Sequence, residues 1–377
     1  MRRTISIIAA GLLLVAVIAT VVLATGHSST NSKPALKTVR GVIGSEKLPF
    51  FQDPAVVAEF AKQGYAVQVD TAGSRQIATT VDLTKYDFAF PAGTPAALQI
   101  ESKQHLTKDY VPFFTPMAIA TFTPIAQLLQ SAGVATDQNG YWTLDVKKYL
   151  DLVAKNQRWT DLPNNTTYPV PKQILVTTTD ISTSNSAAMY ASIVSYVANG
   201  NSVLATPAAA AAAVPALAPL FLEQGYTESS SAGPFQDYLT IGEGKTPMVM
   251  IYESQFVAAA VTAPSSIQSS MVLMYPDPTT LSKHTVVPLT PAGDQVGQLL
   301  TNDPVLQGLA VKYGFRTTDT AAFTAEVAKV GVKVPAQLLN IVDTPTYDTL
   351  DALINGIIAT SQSTGTTSTT STTPTSG

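Results

Sequence analysis

The sequence contains no cysteine. That one absence excludes disulfides, thiolate metal sites, a cysteine nucleophile and a lipid-modified N-terminal cysteine together. Histidine is nearly absent too, with only His27, His105 and His284. None of them stands in an HExxH-type pair, so no metal site is expected. Charged residues make up 13% of the chain, with a net charge of −4, against a usual charged share of roughly 25%. Such sparse, scattered charge builds no nucleic-acid footprint, and no DNA or RNA partner is expected. Catalytic motifs are missing as well. There is no G-x-S-x-G elbow, and no histidine accompanies a candidate serine in a recognised order. Gly242 to Thr246 spell GEGKT, but a phosphate-binding loop needs glycine at 239, where the chain has Leu239, and the stretch reads as a turn. Carboxylates such as Asp161 and Glu223 have no spacing that recommends them as a working pair. The expectation is a protein that is not an enzyme and carries no cofactor.

What is present is apolar. The chain has 377 residues, 45% of them hydrophobic, enough for a folded protein of two lobes plus tails. Arg2 and Arg3 precede the uncharged run Ile5 to Ala24. At about 1.5 Å of rise per residue, a helix of that run matches the roughly 30 Å of a bilayer core. Residues 1–24 therefore read as one N-terminal transmembrane helix, with the positive flank in the cytoplasm and all that follows outside. A cleaved signal peptide is the competing reading, because Val22 and Ala24 suit a cut and would leave a secreted domain; the length of the run favours the anchor. Residues 25–37 are a small polar linker. Residues 360–377 are almost entirely Ser, Thr, Gly and Pro, with little to bury, and are expected to be disordered.

Between the tails, strand-like and helix-like segments alternate. TVRGVIGSEK leads into an apolar-periodic helix, Asp53 to Gln63, with Asp53 as N-cap and Pro54 at its first position. GYAVQVDTAGSR reads as a strand followed by a short helix through Ile77, and TKYDFAFPAG as a third strand. This is the pattern of a parallel α/β sheet. VPFFTPMAIATFTPIAQLL is broken by prolines and reads as extended. LDVKKYLDLVAKNQRW is an amphipathic helix, ILVTTT a strand, Pro207 to Gln224 an Ala-rich helix, and TPMVMIYESQFV a buried strand. MVLMYPDPTTLSKHTVVPL again reads as extended, and helices follow. Extended crossings at 113–124 and 271–290 divide the chain into a discontinuous lobe, 38–112 with 291–359, and an inserted lobe, 125–270. A cleft between lobes is a favoured place for a ligand.

The stretch ILVTTTDISTSNSAAMYASIVSYV places nine polar residues, Thr177 to Asp180 and Ser182 to Ser186, between a strand-like and a helix-like segment. One of them would cap the helix. The surplus is free to line a cleft; in isolation, a solvated loop with a single cap is the plainer reading. Three similar sites change the balance: Gly44-Ser45, Gly73-Ser74-Arg75 and Gly93-Thr94 each follow a predicted strand. Ligands of open α/β sheets sit outside the carboxyl ends of strands. The candidate ligand-binding residues are thus Gly44, Ser45, Gly73, Ser74, Arg75, Thr94, Asp180, Ser182, Ser184, Asn185 and Ser186, with Tyr252 and Glu253 from the opposite lobe. Arg75 offers a fork for an anionic group, or pairs with an acid. Tyr252 and Glu253 read equally well as a core tyrosine beside a structural ion pair.

Several segments in order, among them GVIGSEKLPFF, AGSRQIATTVDLTKYDFAFPAG, MVMIYESQF and LLTNDPVLQGLAVKYGFR, make the chain resemble the bacterial extracellular solute-binding proteins of the type II periplasmic-binding fold. The resemblance covers about 38 to 320. It implies two α/β lobes, each a mostly parallel sheet flanked by helices, that close on a small-molecule solute by hinge bending. It also implies binding without catalysis, by a monomer, with a membrane transporter permease as partner. By position, Gly44-Ser45, Ser74-Arg75 and Ser182 to Ser186 match the family's cleft-lining loops. The chain departs from the family pattern in offering a membrane span where a lipid-attachment cysteine would stand. A ligand-free interaction module of a cell-envelope or sensor complex is the alternative.

Overall fold

The computed structural model describes residues 35–366 except Asn164, Tyr226 and Leu339. The expected membrane segment, 1–24, lies outside them. Among the described residues no helix is long and apolar enough to cross a membrane.

The described strands are β1 (Lys37–Ile43), β2 (Tyr65–Thr71), β3 (Phe88–Phe90), β4 (Tyr110–Phe122), β5 (Ala135–Asp137), β6 (Trp142–Asp145), β7 (Met248–Tyr252), β8 (Met271–Asp277) and β9 (Leu281–Pro288). They join into one large sheet flanked by helices. β1 lies between β2 and β3, parallel to both. The crossover from β1 to β2 includes the helix Pro54–Lys62, which Asp53 caps by accepting from the Ala55 N–H at 2.7 Å. Proline in the first turn loses no helical hydrogen bond, so Pro54 starts this helix at little cost.

β4 is the longest strand and belongs to both parts of the sheet. Tyr110 to Pro116 pair with β9, while Met117 to Phe122 pair with β7 and β8. β8 and then β9 retrace β4 in the opposite direction: Met271 to Met274 lie along Phe122 to Ile119, and Leu281 to Val286 along Pro116 to Tyr110. Because the chain doubles back along this strand, most of the second part is antiparallel, with β6–β8 its one parallel pair of named strands among the described residues. The expectation of a mostly parallel sheet there is corrected.

Two further segments differ from the sequence reading. Thr123–Ser131 is a helix; Pro124 sits in its first turn, where proline starts a helix and does not break one. ILVTTT forms no named strand and touches the sheet through a single parallel bridge, Thr177 to Val249. The final helix, Tyr347–Thr366, enters the stretch expected to be disordered. Leu350, Leu353, Ile354 and Ile357 bury its apolar stripe in the same core as Val214 and Leu217 of the helix Pro207–Leu222, and this anchor carries the helix into its Ser/Thr-rich end.

The first part of the sheet is packed with phenylalanine. Phe50, Phe51, Phe60, Phe88, Phe90, Phe113 and Phe315 are all buried in one cluster, with the Phe113 and Phe315 rings stacked at 4.3 Å. Gly41 on β1 faces Phe88 on β3, and a Cβ added there would stand 2.1 Å from the ring. Gly308, inside the helix Pro304–Lys312, has open space around it. Gly41→Ala is therefore expected to destabilise the fold by about 1–3 kcal/mol through overpacking. Gly308→Ala should stabilise it by roughly 0.5–1 kcal/mol through helix propensity. Urea unfolding of both variants checks the pair, and equal effects would contradict the packing described.

Candidate functional site

Helix starts outside the sheet divide into two kinds. Asp53, Asp145, Thr206, Thr290, Asp303 and Asp319 each cap a helix with a side-chain oxygen. Gly44, Gly73, Ser184, Ser231 and Tyr252 stand at the same position of other helical segments and make no side-chain cap. These five line one small pocket, together with Ser45, Glu46, Ala72, Ser74, Asn185 and Ser230, whereas Lys47, Gly93, Phe122, Arg158 and Ala263, also without a side-chain cap, open helical segments outside its lining. The first N–H groups of a helix lack intrahelical partners and carry partial positive charge. Several such starts thus converge from segments far apart in sequence.

The pocket is nearly shut. Its volume is about 10 Å³, at the limit for one water molecule. Close backbone approaches shut it: a Cβ on Gly73 would lie 2.3 Å from the Thr183 carbonyl oxygen, and one on Gly93 2.3 Å from Asn185 Oδ1. Arg75 N–H donates to the same Thr183 carbonyl at 3.2 Å, and Asn185 Nδ2 donates to the Tyr252 hydroxyl at 3.0 Å. Ser74 Oγ accepts from Ala92 N–H at 2.8 Å.

Of the residues expected from sequence, Gly44, Ser45, Gly73, Ser74, Ser184, Asn185 and Tyr252 meet here. The others have different surroundings. Arg75 is buried, with Nη2 on Asp351 at 2.6 Å and Nε on the Ser182 carbonyl at 3.3 Å. Asp180 accepts from the amide and hydroxyl of Ser182, closing a local turn. Ser186 bonds Thr179 and Ser184. Thr94 opens the helix Thr94–Gln104 outside the pocket lining. Glu253 is fully buried and takes Arg316 through both oxygens, at 2.7 and 2.8 Å, plus the Tyr275 hydroxyl at 2.6 Å. That is the structural ion pair beside a core tyrosine that the sequence left open. A larger cavity, about 470 Å³, is lined by Arg158, Lys172, Glu223 and Lys245 among others and shares none of the expected residues. Among the described residues no cluster of His, Asp and Glu could hold a metal.

No protein-family model matches the chain, and no curated protein matches its sequence. Solved structures do match. The periplasmic binding protein AfuA from Actinobacillus pleuropneumoniae, with fructose-6-phosphate bound, is 12% identical with a TM-score of 0.53, over 86% of this chain and 97% of that one. The sulfate-binding protein SubI from Mycobacterium tuberculosis is 16% identical with a TM-score of 0.50, over 83% and 95%. This chain has the fold of the periplasmic binding proteins. At such identities the likeness is one of fold.

Beneath the pocket of this periplasmic-binding fold lies a buried polar group that the sequence reading did not single out. Lys47 donates to the Glu46 carboxylate and, at 3.0 Å, to His284 Nδ1. Since an ammonium only donates, Nδ1 accepts and the ring proton sits on Nε2, a buried atom without a partner. Burial alone would raise the Glu46 carboxyl, but the Lys47 ammonium beside it outweighs burial and holds it down at about 2. Burial pushes His284 down to about 4, with the Lys47 charge adding to the effect. A Glu-Lys pair directly after Gly44-Ser45, in a chain this poor in charge, was the available signal. Ser230 and Ser231, in another hydroxyl run before a helix, carried the same signal as Ser182 to Ser186.

The shifts fix a pH dependence. Between pH 6.5 and about 4 the unfolded His284 binds a proton that the folded one refuses, so stability falls as pH drops through that window. A fall from 6.5 to about 4 corresponds to roughly 3 kcal/mol. Glu46, with its folded value depressed, adds loss in the same direction as pH falls from 4.5 towards about 2. Urea melts at pH 7, 5.5 and 4 should show the wild type weakening and His284→Gln losing most of this slope. An identical slope in both would contradict the buried neutral imidazole.

Proposed function

We propose that this chain is an extracytoplasmic, membrane-tethered binding protein that takes a small polar or anionic solute between two lobes, 38–112 with 291–359 and 125–270, for an uptake transporter. The observation that carries this reading is the meeting of helix starts without side-chain caps on one pocket. Helix starts, with their partial positive charge, suit the oxygen atoms of a ligand. Hydroxyls of Ser45, Ser74, Ser184, Ser230 and Ser231, with the Asn185 amide, extend the donor set. Fold likeness to a sulfate-binding protein and to a binding protein holding fructose-6-phosphate agrees with a polar or anionic solute. With about 10 Å³ available, the ligand enters only when the lobes part. The crossing formed by β4 with β8 and β9 is the hinge in this reading.

A second reading has its own observation. The groups best suited to hold an anion are already engaged: Arg75 with Asp351, Lys47 with Glu46 and His284. That favours an interaction module of the cell envelope that keeps the fold and holds no solute.

Gly73→Ala separates the two. Gly73 has φ −62 and ψ 142, which alanine adopts freely, so the added methyl acts only by pressing on the Thr183 carbonyl. Native mass spectrometry of wild type purified without added solute is expected to show a small-molecule adduct, and Gly73→Ala should lose at least tenfold of its occupancy while its melting temperature moves by only a few degrees. Wild type without any adduct, retaining a protein partner after dialysis, would favour the second reading.

A further inference from the structure

Beside the nearly shut polar pocket lies a groove of about 260 Å³. Ser45 and Glu46 line both spaces, so the two adjoin. The rest of the groove is mostly apolar: Pro49 stands on one side, and Phe235 and Leu239 of the helix Ala232–Thr240 and Ala258 and Ala259 of the helix Glu253–Thr262 face it. Leu239 and Ala259 are only half-buried, which leaves apolar surface there for an occupant to cover. Glu46 brings no free charge to the junction, because its carboxylate is paired with the buried Lys47 ammonium.

The two volumes decide what fits. A space of about 10 Å³ takes at most one compact polar group, and only as the surrounding loops ease apart. The groove, at about 260 Å³, approaches the roughly 300 Å³ at the lower end of small-molecule pockets. A wholly polar solute would leave the half-buried Leu239 and Ala259 wet and gain nothing from closure there. On the solute-binding reading above, we infer that the ligand is an amphiphile: its compact polar head sits at the uncapped helix starts, and its apolar tail lies in the groove between Pro49 and the helices Ala232–Thr240 and Glu253–Thr262. Walls on both sides mean that closing buries the tail, so tail burial itself favours the shut form.

The test is a titration of the full chain with n-alkanoates from acetate to octanoate and n-alkylammoniums of matching length, against a blank of its carrier alone. Affinity is expected to rise roughly two- to fourfold for each added methylene in the series whose head is accepted. Ala259→Phe, which fills the groove, should abolish this rise and leave the shortest binding probe unchanged. Ala263→Trp, at an exposed position on the rim, should do the same should Ala259→Phe fail to fold. Binding that does not depend on tail length, or a rise that survives both substitutions, overturns the amphiphile and leaves solute binding standing. Failure of every probe to bind, with a small polar adduct present in native spectra, also overturns it, whereas failure with no adduct overturns both readings.

Discussion

The fold depends on one strand satisfying its backbone in two neighbourhoods. Buried N–H and C=O groups must pair, and β4 pairs first with β9 and then with β7 and β8 along its length. Neither part of the sheet closes its ladder without it. The same dependence confines the connection between the parts largely to β4 and the β8–β9 run, with Thr279 Oγ1 and Thr280 carbonyl bridging the break between those strands to Met117.

Electrostatics reinforce this arrangement from both sides of the strand. Glu253 and Arg316 bury a bidentate pair, and Lys47, Glu46 and His284 bury a second group. Isolated charges would be far too expensive at these depths; paired, they are tolerated but add little net stability. Their value is geometric. Phe114 pairs with Arg316 through its backbone while Arg316 holds Glu253 at the start of the helix Glu253–Thr262, so the ion pair ties that helix to the long strand. Lys47 likewise ties the segment after β1 to His284 on β9. Loops that must meet at a pocket are thereby fixed at their bases.

Legibility in the sequence followed locality. Asp53-Pro54 could be read because a cap and its helix are neighbours, and the strands of the first part because alternation and turn residues lie within a few positions. Convergence of Gly44-Ser45, Gly73-Ser74 and Ser184-Asn185 could be read because strand ends in an open sheet share one side. The strand expected at ILVTTT failed because local β-propensity does not supply a partner, and this segment finds only Val249. Pro124 was misread as a breaker for want of knowing that a helix begins one residue earlier. Glu46, Lys47 and His284 could not be joined from sequence, since 237 positions separate the lysine from the imidazole. Arg75 bonds the Ser182 and Thr183 carbonyls, but its acidic partner Asp351 lies on the last helix, 276 positions away, which composition had assigned partly to a tail.

The uncapped helix starts carry a thermodynamic argument. Asp53, Asp145, Thr290 and Asp303 cap their helices with side chains, and a missing cap typically loses about 1 kcal/mol. Serine at 184 and 231 could cap and does not; glycine at 44 and 73 cannot, yet lets backbone approach backbone. Several amides at these starts find partners within the protein: Arg75 N–H donates to the Thr183 carbonyl, Ser254 N–H to Thr115 Oγ1, and the Gly73 and Tyr252 N–H groups to the Gln76 and Gln255 side chains, so contact between loops does here part of what a capping side chain does at the other helices.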